Sequence, residues 1–121
     1  MAENILKNKT YDFALRVIEV YKGLKNEQKE FVLSKQLLKS GTSIGAMVRE
    51  AEFAQSKADF ISKLSIALKE ANETNYWISI LKDSSYFIED TAVKLLSQNE
   101  EIIKLLIASI NTSKRSLQKS K

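Results

Sequence analysis

Glutamates pair at Glu50/Glu52 and Glu70/Glu73, Ser-Lys steps occur at Ser34-Lys35, Ser56-Lys57 and Ser62-Lys63, and cations crowd the last eleven residues. Each pattern invites a chemistry. Inward-facing carboxylates hold metals in helical bundles, but those sites add Glu-x-x-His pairs, and this chain contains no histidine. Zinc centres fail for want of His and Cys, and a serine triad fails for want of its histidine base. A Ser–Lys dyad needs converging side chains, whereas adjacent residues on a helix point apart. No glycine-rich GK[ST] phosphate loop is present. The glutamates are therefore read as partners for Lys and Arg across helices or subunits. No catalytic residue, metal or cofactor is expected.

Binding chemistry is better represented. The 15 acidic residues all lie within the first 110 positions, where they balance the cations; the net charge of +4 comes from Lys114, Arg115, Lys119 and Lys121. This basic arm, residues 111–121, reads either as a solubilising terminus or as a phosphate-contacting tail. On charge alone the solubilising reading is the commoner one. A second set lies upstream. Lys35 and Lys39 are one helical turn apart, Phe53 projects to the same side, and Phe31 and Arg49 are near. Cations interleaved with aromatics can hold a phosphate backbone and stack a base, although lysine-rich helix surfaces are common.

The elements that must position these groups are helical. At 121 residues, with no proline or cysteine and no period-two alternation, the chain is one all-α domain. Apolar spacing predicts four helices, over about residues 10–25, 28–55, 57–82 and 89–117, with Thr10 and Ser56 as caps and Asp83–Tyr86 as the longest loop. Short connections make the bundle antiparallel, up-down-up-down. Expected core stripes are Ala14, Val17, Tyr21 and Leu24 in the first helix, and Leu33, Leu37, Ser40, Ile44, Met47, Ala51 and Ala54 in the second. Phe60, Leu64, Ala67, Ala71, Thr74, Ile78 and Leu81 serve the third, and Leu96, Asn99, Ile103, Leu106, Ile110 and Leu117 the fourth.

Gly41 and Gly45 interrupt the second helix at a cost of about 1 kcal/mol each relative to alanine. Close approach of a neighbouring backbone is the expected compensation, as small residues four apart allow. Ile66, Trp77 and Ile80 share a face with Glu70 and Glu73, away from the main stripe of the third helix. Together with Phe31, Leu38 and Phe53 they form more apolar surface than one bundle hides, which points to self-association. No apolar run reaches the roughly 18 residues a bilayer crossing needs. With no thiol and no leader-like N-terminus, a cytoplasmic protein is expected.

Two motifs carry a resemblance. Lys39-Ser40-Gly41-Thr42-Ser43-Ile44-Gly45-Ala46 with Glu50-Ala51 is the first. Asp59-Phe60-Ile61-Ser62-Lys63-Leu64-Ser65-Ile66-Ala67-Leu68-Lys69-Glu70-Ala71, with Glu73-Thr74 and Tyr76-Trp77-Ile78, is the second. Together they resemble the bacterial four-helix-bundle family of 23S ribosomal-RNA intervening-sequence proteins, over nearly the whole chain. That family is similar to the accessory variability proteins of retroelements, which form a pentameric barrel, bind nucleic acid and contact a reverse transcriptase. The resemblance implies a homopentamer, RNA or DNA as partner and a reverse transcriptase as a further one; it defines no catalytic residue. Met47 departs from the asparagine common after the Gly-Ala pair. The leading expectation is a non-enzymatic oligomer that binds nucleic acid. A protein-interaction scaffold or reverse-transcriptase accessory subunit with an inert tail is the rival.

Overall fold

Each of the four expected segments is helical, but three of the eight starts and stops moved by three residues or more, for reasons that only packing supplies. The structure, a computed structural model, describes residues 2–119 and the side chains of 4–119. The helices are α1 (Ala2–Asn26), α2 (Leu33–Glu52), α3 (Lys57–Asp83) and α4 (Glu89–Lys119), with no strand among the described residues.

α1 begins at least eight residues earlier than its cap signal. Thr10 is no N-cap: it is buried, and its hydroxyl donates back to the Leu6 carbonyl at 2.8 Å. The added turns are held because Leu6 enters the core and Lys7 reaches Glu52 of α2 at 3.4 Å. The true stripe is Leu6, Thr10, Phe13, Val17 and Leu24, so Phe13 is core and Tyr11 is exposed.

α2 starts at Leu33 rather than near residue 28. The chain must reverse between the two helices, and it does so with Lys29 in the left-handed region (φ 57°). The 27–32 connection, not 84–88, is thus the longest. Val32, the residue before α2, offers no side-chain cap. Glu30 does that work. Its carboxylate accepts the N–H groups of Val32 (3.1 Å), Leu33 (3.0 Å) and Ser34 (2.6 Å). Three of the donors that a helix start leaves without partners are satisfied by one buried acid.

α2 ends at Glu52, three residues short of the expected stop, because the chain turns at Phe53. Ser56 then caps α3, its hydroxyl accepting the Asp59 N–H at 3.0 Å. The Asp59 carboxylate reaches back one residue further than a capping box requires, to the Gln55 N–H at 3.2 Å.

The helices form a square in chain order, with α4 closing against α1 and no close approach across the diagonals. Every neighbouring pair is antiparallel. Gly41 faces Val17 and Gly45 faces Thr10 across α1/α2. Glu50 pairs with Lys63 at 3.4 Å across α2/α3, and Asn99 donates to the Ala71 carbonyl at 2.8 Å across α3/α4. Lys9 pairs with Glu101 across α1/α4. The α3 stripe from Leu64 to Leu81 is buried as its spacing requires, except that Phe60 is only half-buried. α4 buries Asn99, Leu106 and Ile110 as expected, but Leu95 and Ile102 in place of Leu96 and Ile103. α2 likewise buries Val48 ahead of Met47. A polar layer of Ser40, Thr74 and Asn99 crosses the core, the two hydroxyls 3.0 Å apart.

Candidate nucleic-acid interface

Lys35, Lys39, Arg49 and Phe53 do not form one patch. All four are exposed, but 14 residues separate Lys39 from Phe53, about 21 Å along a helix axis. Lys35 and Lys39 lie toward the end that carries the 27–32 and 84–88 loops, which are joined by a bond from the Gln28 amide to the Tyr86 carbonyl at 3.0 Å. Arg49 and Phe53 lie at the opposite end.

That opposite end is where the cations gather. The antiparallel order brings the end of α2, the start of α3 and the end of α4 together, and Lys57 Nζ rests on Ser116 Oγ. Lys114, Arg115 and Lys119 are exposed on the last turns of α4, which runs two residues beyond its expected end. Lys121 lies outside the described residues. Among the described residues, Lys7, Lys9, Lys22, Lys63 and Lys94 pair with carboxylates and the other cations do not; of these others, Arg49, Lys57, Lys114, Arg115 and Lys119 lie at this end. Lys57 is the member of this set that sequence reasoning missed. Its Ser-Lys step drew attention as a dyad, not as part of a charge cluster assembled across three elements.

The second stripe of α3 is mixed. Ile66 is 41 % exposed, but Trp77 is half-buried, packs against the core and meets Tyr76 edge-on at 5.0 Å. Ile80 is also half-buried. The intrachain bundle therefore already covers most of the surface attributed to Trp77 and Ile80. The most exposed large apolar side chains are Phe53 at the cationic end and Val32 and Ile88 at the loop end.

Glu50 and Glu52 pair with Lys63 and Lys7 as their positions suggested, but Glu70 and Glu73 make no ion pair among the described residues. Burial, and then the neighbouring Glu73 carboxylate, push the Glu70 carboxyl above its ordinary value, against a smaller opposing effect of Ser43 and Lys69. A raised native value means stability that is present in acid and lost as pH rises through that value. Glu70→Gln should therefore melt higher than wild type at pH 7.5, with the gap closing toward pH 4. Thermal unfolding at both pH values checks this, and a gap that does not depend on pH would refute it. No group of three or more metal-ligating side chains occurs among the described residues. No helix there is long and apolar enough to cross a membrane.

The family of 23S rRNA-intervening sequence proteins matches residues 2–108. The chain belongs to that family. Both motifs on α2 and α3 fall inside the match, while Lys114, Arg115 and Lys119 fall beyond it. The chain is also similar to a crystal structure at 1.70 Å of a protein of unknown function from the S23 ribosomal protein family, from Bacteroides thetaiotaomicron VPI-5482. The two are 55% identical, the match covers 92% of this chain and 99% of that one, and the TM-score is 0.91. Comparison with curated proteins gives no match.

Proposed function

We propose that this member of the intervening-sequence family is a non-catalytic, oligomeric module that binds RNA or DNA through its phosphates. The observation that carries the reading is the convergence of Arg49, Lys57, Lys114, Arg115 and Lys119 at one end of the bundle, without carboxylate partners among the described residues. Cations left unpaired are available to phosphates, and displaced counterions supply the driving force. A homopentamer, favoured by the resemblance to accessory variability proteins, would set five such ends on one ring and raise their effective concentration. The intracellular setting of ribosomal RNA agrees with a cytoplasmic role.

A second reading has its own support. Phe31, Val32 and Ile88 are exposed together at the loop end, a surface suited to a protein partner such as a reverse transcriptase. One bundle can use both ends.

Filter binding of a ribosomal-RNA fragment across salt concentrations tests the first reading, alongside particle mass by light scattering. Wild type should show a log–log salt dependence that becomes shallower by about 2 to 3 units in K114A/R115A/K119A. Binding indifferent to salt, or a triple variant as tight as wild type, would defeat the phosphate role. A monomeric mass would defeat the ring.

A further inference from the structure

Phe53 is 77 % exposed, yet it is held in place. It closes α2 with φ −107° and ψ 21°, and its N–H bonds the Glu50 carbonyl at 3.1 Å. An aromatic ring presented this way is more than an end left over from folding, because of what surrounds it. Arg49, Glu50, Phe53, Gln55, Asp59 and Lys63 line an open concavity of about 490 Å³ between the ends of α2 and α3. Two carboxylates are in it, so its charge must be followed residue by residue. Glu50 is neutralised by Lys63 at 3.4 Å. Asp59 accepts the Gln55 N–H at 3.2 Å and sits in the first turn of α3, beside the positive end of the helix. Arg49, one turn before Phe53, is left uncompensated among the described residues. Four residues beyond Phe53, Lys57 lies against Ser116, so the cationic end of α4 is next to the same turn.

From this we infer that the Arg49–Phe53 concavity takes single-stranded nucleic acid: an unpaired base stacks on the Phe53 ring while the adjoining phosphate meets the Arg49 guanidinium. The inference rests on the nucleic-acid role proposed above and specifies its ligand. A base within a duplex has both faces covered by its neighbours, so only an unpaired base offers a free face to an isolated ring. A phenyl group carries no donor or acceptor, so it reads stacking and not base edges. Sequence preference should be weak. The remaining cations then follow the backbone on either side.

The full chain is compared with F53A and F53W, using a mixed-sequence single-stranded RNA dodecamer and the same sequence as a duplex. Loss of one stacked base should weaken binding of F53A to the single strand about 5- to 150-fold. Duplex binding should stay within about twofold. F53W should match wild type, and its indole emission should be quenched by the single strand. F53A binding the single strand as wild type does, or losing both probes equally, overturns the assignment while leaving phosphate binding intact. A change of particle mass in F53A would make Phe53 a subunit contact and overturn it too. Wild type that binds neither probe at low salt removes the nucleic-acid role altogether.

Discussion

Glu30→Ala should destabilise the bundle by about 2 to 4 kcal/mol, lowering the melting temperature by roughly 10 °C. The side chain is 8 % exposed and its two oxygens hold three N–H groups at the start of α2. Removing it strands those donors at a helix terminus that has no other side-chain cap. The effect has a pH signature. Burial pushes the Glu30 carboxyl up, but the bonds from Leu33, Ser34 and Val32 outweigh it, and the native value is held below the ordinary one. A depressed native value means a contribution that is complete above the ordinary glutamate range and lost as pH falls through the native value. Wild type and Glu30→Ala should therefore differ most at neutral pH and converge in strong acid. Glu30→Gln keeps an acceptor without the charge and should fall between them. Melting curves at pH 7 and pH 3 decide. A variant that melts within a degree of wild type at pH 7 would mean that Glu30 does not hold the start of α2.

The second large effect separates two glycines that look alike in sequence. A Cβ on Gly41 would lie 2.9 and 3.0 Å from the two γ-methyls of Val17, whereas one on Gly45 would meet the Thr10 carbonyl at an ordinary 3.4 Å. Val17 is fully buried and β-branched, so its side chain has no room to swing aside. Gly41→Ala should cost about 1 to 2 kcal/mol net, the clash exceeding the gain in helix propensity, and Gly41→Leu about 3 kcal/mol or more. Gly45→Ala should do the opposite, raising stability by up to about 1 kcal/mol. Val17→Ala, destabilising alone, should be compensated in the Gly41→Ala background, because the two side chains then share one space. Chemical denaturation of these single variants and of the Val17→Ala/Gly41→Ala double variant measures this. Equal signs at the two glycines, or strict additivity of Val17→Ala and Gly41→Ala, would show that α1 and α2 do not meet at Gly41.

Much of the architecture was legible because it is written locally. The α3 stripe from Leu64 to Leu81 repeats with steps of three and four, and Ser56 with Asp59 marks a helix start within a few residues. The stripes of α1 and α4 were read correctly at Val17, Leu24, Asn99, Leu106 and Ile110 but one residue off at Phe13, Leu95 and Ile102. Phe13 and Ala14, like Leu95 and Leu96, are adjacent apolar residues about 100° apart on the helix, and periodicity alone does not choose between them. The neighbouring helices do, by which side chain they leave space for. Glu30 was missed for a related reason. As a glutamate among exposed residues in a polar stretch it carries no signal until the chain reverses at Lys29 and aims it at the next helix.

The candidate site shows the same division. By itself the sequence determined that the chain makes four helices, that short connections alternate their directions, and that its surplus charge sits at the C-terminal end, since each follows from residue types and spacings within one segment. The rise of one helix already set Lys35 and Lys39 apart from Arg49 and Phe53; only the tertiary structure decided that Arg49, Lys57 and Arg115 lie at one end of the bundle. A helix separates residues along its length by a constant rise, so a run that looks contiguous in sequence is stretched out in space. Antiparallel packing does the reverse. It sets the ends of distant segments side by side, so that like charges that no local pattern connects gather at one end of the bundle.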